Sequence, residues 1–599
     1  MTDSAELESF GPWNPGIQSR LPANLWPLMT LLRPENVFTD IKDVKELADF
    51  TGMRPRELVR FRPERLVVHE LLIRVSADFQ VADGSRYEDL GINTRAIVAK
   101  IFNDYVKQNL DSICTAYEEL IQKVEHQVHT ELSNTLFIEI SEHHAETQGR
   151  SFLERLGFKS ASVERVDKKE SREELLLRVM ATWQQEIESS QNALSQACFR
   201  GLHKITSALY AKHGDLRADQ HLLTRLVTDR VMNSYGSEMI GGLIEPFIEQ
   251  ARVVEGYRRL PVQSEPVIMN TKGASASGKS TMRPRQHELA TRLGINWEDF
   301  ALISPDIWRK YLLDYDSLES HYKYAGTLTG DENAIIDRKL DRYMSAKAAR
   351  GCMSHLLIDR FRFDSFDPDA PSGDGSNLLT RFGHLVYMFF VITPPHATVE
   401  RAWTRGLKVG RFKAVDDLLD HNVEAFTGMP KLFFTWTSHT NMSVHFEFLD
   451  NSVPENELPP TIAYGVNDEL NILDIHGMLN IDRYRKININ ALSPNQVYPN
   501  DKAMAASENL EFLRQCVHRI SKVNFIDAHS GCIYAHIREG ALEWIDPQRF
   551  AKAIVNEEVR STFTSIAPEA LETDWCAFKH DVCLKQSAIH TLGQQNPEC

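Results

Sequence analysis

The residues whose types and spacing could do chemistry centre on Gly-Ala-Ser-Ala-Ser-Gly-Lys-Ser at 273–280. This stretch matches GxxxxGK[ST] in full and stands between the apolar run Pro266–Asn270 and a segment of helix formers. A loop wrapped around a β-phosphate must turn successive backbone N–H groups inward, and Gly273 and Gly278 permit this because they carry no Cβ. Ala274, Ser275, Ala276 and Ser277 complete the cradle, and Thr281 belongs to the helix start whose dipole adds to the attraction. In this pattern Lys279 reaches the β- and γ-phosphates and the Ser280 hydroxyl ligates Mg²⁺.

Three further groups extend that chemistry. The run Ser354–Asp359 ends in a carboxylate, and a buried strand there delivers Asp359 to the metal's side of a sheet, although any buried strand can end in Asp. Asp306 and Arg309 follow the apolar run Phe300–Ile303. A carboxylate at that point faces the space beyond the γ-phosphate, where an acceptor hydroxyl lies in line with the leaving ADP, so Asp306 is the candidate general base. The same residues also read as a helix start capped by Ser304 or Asp306. Arg401 and Arg405 fall four apart on an expected helix and share a face, Arg401 toward the nucleotide and Arg405 toward the transferring group. Arg411 follows on a segment that Gly406 and Gly410 would let hinge as a lid, and an arginine fork suits the oxygens of a moving phosphoryl group.

The elements that must position these residues are legible as a change of character along the chain. Residues 1–258 are mainly helical from Ile41 onward, with apolar positions at spacings of three and four. A charged break at 160–174 reads as a solvated linker. Residues 266–451 alternate short apolar runs (Pro266–Asn270, Asp299–Ser304, Ser354–Asp359, Leu385–Thr393 and Val444–Asp450) with helical stretches, the pattern of a parallel sheet with crossover helices. Residues 460–599, beyond a Pro-rich seam, carry no chemistry motif and read as a smaller α or α+β region, with 462–481 as a candidate small sheet element. The expected fold class is therefore α/β, a P-loop NTPase sheet core with a helical flank before it and a smaller region after it.

With the four motifs in this order, 266–451 resembles the zeta-toxin and polynucleotide-kinase-like branch of the P-loop kinases. In that family a strand ending in Asp supplies the base, as Ser304–Tyr315 would here, and an Arg-containing lid follows a strand ending near Pro, as Val391–Phe412 would here. The resemblance implies phosphorylation of a hydroxyl group with ATP and Mg²⁺, and carries over Lys279, Ser280, Asp306, Arg405 and Arg411. It implies an acceptor of the nucleotide-sugar or dinucleotide class. It covers about a third of the chain, and the insert 360–377, placed where acceptor contacts would fall, does not match the family's sugar-binding pattern.

Composition bounds the rest. The chain has 599 residues and a formal net charge of −16, which argues against non-specific binding to nucleic acid or to an anionic membrane. Eight scattered cysteines without a CxxC pair read as reduced thiols in a cytoplasmic compartment. No signal peptide or membrane-length apolar window is present, and a secretion signal of another kind would leave no such trace. The leading expectation is a small-molecule or nucleotide kinase whose helical flanks regulate it or bind a protein partner. An NTP-driven switch without an acceptor and a polynucleotide 5′-hydroxyl kinase are the alternatives. The absence of a guanine-reading NKxD motif favours ATP.

Overall fold

The strand β4, Leu385–Ile392, shows most directly how the sequence builds the fold. Val386, Met388, Phe390 and Ile392 enter one apolar cluster, while Tyr387, Phe389 and Val391 enter another on the opposite face. A strand covered on both sides reads as an unbroken apolar run, which is the sequence found here. The computed structural model describes residues 10–86, 88–137, 171–360, 379–439, 441–454, 457–572 and 590–593. The charged break at 160–174 and the insert at 360–377 lie outside the described residues except for Ser171–Glu174 and Arg360.

All five apolar runs of the middle region are strands: β1 (Val267–Lys272), β2 (Phe300–Ile303), β3 (His355–Asp359), β4, and β5 (Ser443–Asp450). They pair in parallel, with β1 between β3 and β4, β2 outside β3 and β5 outside β4. Four helices serve this part of the sheet: α1 (Arg283–Arg292), α2 (Gly330–Ala349), α3 (Pro395–Val409) and α4 (Val415–Thr437). Helix α3 starts on Pro394–Pro395 and stops at Gly410, whose φ of 74° lets its N–H return to the Gly406 carbonyl.

Beyond Asn451 the chain continues the same sheet. Strands β6 (Thr461–Val466) and β7 (Glu469–Ile472) form a hairpin antiparallel to β5. Then β8 (Lys522–Asp527) joins β7 in parallel, and β9 (Cys532–Arg538) and β10 (Ala541–Ile545) add antiparallel. The fold is thus α/β on one ten-stranded mixed sheet, ordered β10-β9-β8-β7-β6-β5-β4-β1-β3-β2. A short C-terminal segment is tied to β5: Glu447, fully buried, accepts hydrogen bonds from Leu592 N (2.6 Å), Gly593 N (3.0 Å) and Thr461 Oγ1 (2.7 Å). Beside it the His445 and His590 rings stack at 4.2 Å, and His590 Nδ1 lies 2.8 Å from the Tyr387 hydroxyl.

The chain divides into two compact units, one of Met1–Ala23, Ile73–Ala96 and Tyr257–Cys599, the other of Asn24–Leu72 and Ile97–Gly256. The second is helical. Leu110–Thr135, Ala193–His213 and Gln220–Val231 pack on one another. Asn192 and Asp219 cap helix starts, and Gly214 and Gly256 end helices in the left-handed conformation. Among the described cysteines, Cys114, Cys198, Cys352 and Cys516 are free, as expected, but Cys532 is disulfide-bonded. That corrects the reading for this residue, because spacing along a chain does not report which thiols a fold brings together. No helix among the described residues is long and apolar enough to cross a membrane.

Candidate active site

The carboxyl ends of five parallel strands meet at one edge of the sheet, with the strand order reversing direction around β1. In open α/β sheets ligands bind in the crevice at such a point. The loop 273–280 follows β1, Asp306 follows β2, Asp359 ends β3, Thr393 and α3 follow β4, and Asn451 follows β5. The topology therefore gathers residues scattered over 179 positions of sequence, from 273 to 451, onto one edge.

The loop is held in a special backbone shape. Ala276 and Gly278 have φ values of 60° and 91°. An alanine in the left-handed region costs about 1–2 kcal/mol, so its neighbours must impose it. They do so through the Ser277 carbonyl, which accepts from Asn451 Nδ2 (2.6 Å) and Thr393 Oγ1 (2.9 Å). Both glycines are also sterically required. A Cβ on Gly273 would lie 2.6 Å from Ser277 Oγ and 2.8 Å from the Val391 carbonyl, and one on Gly278 would collide with the Asn451 amide. The Thr281 hydroxyl donates to the Gly278 carbonyl at 2.6 Å. Ala274 is buried, and Ser275 lies half-buried at the loop's turn.

Lys279 Nζ donates to the carbonyls of Gly273 (3.0 Å) and Ala274 (2.8 Å), folding its amine over the loop. Burial pushes that amine down to about 8, against Asp359 and Asp306, which pull it up. The Ser280 hydroxyl donates to Asp359 Oδ2 at 2.7 Å. This pair offers two hard oxygen donors, as suits Mg²⁺, which takes one or two protein oxygens and fills its octahedron with phosphate and water. Among the described residues no group of three or more His, Cys, Asp and Glu side chains could hold a metal by itself.

Asp306 lies in a short 3₁₀ turn, Pro305–Trp308, with about a third (36%) of its side chain exposed. Its Oδ1 accepts from Arg309 Nε at 2.9 Å, and its Oδ2 accepts from Arg411. Arg309 is fixed in turn by the Gly326 carbonyl (2.7 Å) and Thr329 Oγ1 (2.9 Å). Burial disfavours the charged carboxylate, yet the guanidiniums of Arg411 and Arg309 overcome it and hold Asp306 well below the usual carboxylate range. Ser304 makes no side-chain cap, so the carboxylate serves arginines rather than a helix start.

The structure separates the two arginines of α3. Arg405 stands close enough to shape the charge of Lys279, Asp306 and Lys413. Arg401 instead donates to the carbonyls of Asn451 and Val453, both at 2.9 Å, and so braces the end of β5. Gly406 is not a hinge. It lies inside α3, where a Cβ would meet the Phe412 ring at 2.5 Å, and only Gly410 has the left-handed freedom the lid reading gave to both.

Two residues at the site were missed in the sequence reading. Lys413, two positions past Arg411, has its Nζ against both ring nitrogens of His421 on α4, nearer to Nδ1 than to Nε2. Burial pushes Lys413 down to about 7 and His421 down to about 2. The signal available was the alternation in Gly410-Arg411-Phe412-Lys413, which in an extended segment puts both cations on one side and the aromatic ring on the other. No protein-family model, curated protein or solved structure matches the chain.

Proposed function

We propose that the chain is a P-loop kinase that transfers the γ-phosphate of ATP to a hydroxyl of a small molecule or nucleotide-type substrate, of the nucleotide-sugar or dinucleotide class. The observation that carries this reading is the 2.7 Å contact between the Ser280 hydroxyl and Asp359, which joins the end of the GASASGKS loop to the end of the neighbouring strand. Those two motifs were recognised independently in the sequence, and their meeting is what a Mg²⁺-nucleotide site requires. Bound there, Mg²⁺ supplies charge neutralisation on the phosphate oxygens. The loop backbone cradles the phosphates, and Lys279 exchanges its two carbonyl partners for phosphate oxygens. Arg405 and Arg411 lie where a moving phosphoryl group gains charge, and Asp306 fixes Arg411 and orients the acceptor.

A nucleotide switch has no use for a carboxylate braced by two guanidiniums on the acceptor side, so Asp306 favours transfer over switching. The strand order around β1, with the edge carboxylate on its neighbour β3, supports the same reading. A cytoplasmic location and a protein partner for the helical unit belong to this proposal too. The test is transfer of label from γ-labelled ATP into a metabolite extract by the full chain and by Asp306→Asn. A labelled small molecule made by the wild type and lost in the variant is expected. Nucleotide binding with no labelled product would replace the kinase with the NTP-switch reading.

A further inference from the structure

Helix α1 begins at Arg283, four residues past Lys279 and three past Ser280, so the three side chains lie on one side of the chain as it leaves the loop. Arg283 lines one crevice with Lys279 and Ser280, with Gln286 of α1, with Thr271 of β1 and with Asp359 of β3. The other polar side chains there are bonded. Lys279 donates to two loop carbonyls, Ser280 donates to Asp359, and Gln286 Nε2 donates to Thr271 Oγ1 at 2.7 Å. Arg283 is only 8% exposed, yet its Nε has no hydrogen-bond partner among the described residues. Asp359, a carboxylate of the same crevice, is engaged by Ser280 instead. A guanidinium keeps its charge, and a charge drawn out of water without a partner is costly. Placed in a crevice beside a phosphate loop, such a group is suited to meet an anion.

The position of the crevice says which molecule brings that anion. The loop backbone and Lys279 account for the phosphates of the nucleotide. Strand β3 lies between β1 and β2, and β2 leads to Asp306. The crevice, lined by β1 and β3, is therefore on the acceptor's side of the loop, away from β4 and Arg401. We propose that Arg283 binds a phosphate-type oxyanion carried by the acceptor, distinct from the hydroxyl that receives the γ-phosphate; this rests on the kinase reading above. The guanidinium fork can give two parallel N–H bonds to two oxygens of one phosphate, which fixes the acceptor in direction as well as in place. A chain of net charge −16 repels an anionic substrate overall, so a fixed cation at the site also draws the acceptor in. The acceptor is thereby restricted to molecules that already bear a phosphate or diphosphate, because an uncharged alcohol would leave the buried cation unpaired.

The experiment uses inorganic phosphate as the probe and the full-length chain. Calorimetry first measures binding of the Mg²⁺ complex of β,γ-imido-ATP, which fills the loop up to the γ-position, and then titrates phosphate into the loaded protein. The wild type should bind phosphate in this state. Arg283→Met should weaken that second event on the order of 10- to 100-fold with nucleotide affinity unchanged, and Arg283→Lys should keep part of it, having the charge without the fork. A second readout separates binding from a structural part. Without phosphate or nucleotide, Arg283→Met should melt no lower than the wild type, since it removes an unpaired buried charge and keeps the apolar stem, whereas loss of an internal ion pair lowers melting. Phosphate binding that survives in Arg283→Met, its absence from the loaded wild type, or a lowered melting temperature in the variant would each overturn the assignment and leave the kinase reading standing. An equal loss of nucleotide affinity in Arg283→Met would overturn it too, by giving the oxyanion to the nucleotide. Failure of the wild type to bind the imido nucleotide would instead remove the kinase reading and this assignment with it.

Discussion

Lys279 has two carbonyl bonds to give up when a phosphate arrives, and it has a proton to settle as well. With its amine pushed down to about 8, part of the population is neutral at that pH, and a polyanion favours the charged form. Binding of MgATP should therefore take up protons near pH 8, and affinity should fall as pH rises through 8. Calorimetry in buffers of different ionisation heat reads both effects. Lys279→Ala should abolish the proton uptake and weaken binding on the order of 10- to 100-fold, the scale of losing charge-assisted hydrogen bonds. Its far-ultraviolet circular dichroism should be unchanged, because the loop's shape comes from Gly273, Gly278, Asn451 and Thr393. Asp306→Asn should leave MgATP affinity intact and lower turnover on the order of 10²-fold, since it unseats Arg411 and the acceptor together. Retained turnover with a lower melting temperature would return Asp306 to a purely structural part.

At the scale of elements, α3 and the segment after it act as one piece, because the Phe412 ring packs where Gly406 has no side chain. Gly406→Ala should cost about 1–3 kcal/mol by overpacking and displace Arg411 from Asp306, so stability and turnover fall together. Gly410→Ala, strained by its φ of 74° but meeting only an ordinary contact with the Tyr315 ring at 3.8 Å, should cost about 1–2 kcal/mol with a smaller effect on turnover. Melting curves and steady-state rates of both variants check this. The same region shows what was legible in the sequence. The five parallel strands were readable because each is an apolar run between turn-forming residues, and the loop was readable because its steric demands leave few residue choices. The direction of Arg401 was not, since a helical spacing of four gives a shared face but not the carbonyls at the end of β5 that one member meets. Lys413 and His421 escaped for the same reason: their significance comes from the packing of α4 against a segment that no local pattern describes. The sheet element read at 462–481 holds β6 and β7, but that it extends the central sheet and that β8–β10 follow was hidden, because short strands carry too few positions for periodicity to separate them from loop.

At the scale of the whole molecule, the buried Glu447 makes one unit's stability depend on pH. Burial pushes its carboxyl up to about 7, against the hydrogen bonds from Leu592, Thr461 and Gly593, which lower it. The native state then holds this proton more tightly than the unfolded chain does, so the contribution is fully present below the ordinary carboxyl range. It is lost as pH rises from about 4.5 through about 7, and the loss amounts to a few kcal/mol in order of magnitude. Thermal melting across that window should show the decline, and Glu447→Gln should flatten it. The partners of this carboxylate have a further consequence for how the chain is made. Glu447 lies on β5, but two of its three hydrogen-bond donors are the backbone N–H groups of Leu592 and Gly593. During synthesis β5 is complete about 140 residues before those donors exist, so the growing polypeptide cannot satisfy this carboxylate until Leu592 and Gly593 have been made. A nascent chain stalled before Leu592 should thus be cut more readily by protease in the β5–β6 region than one released after Gly593, and a synthetic peptide spanning 590–593 with its flanks, added in trans, should slow that cleavage.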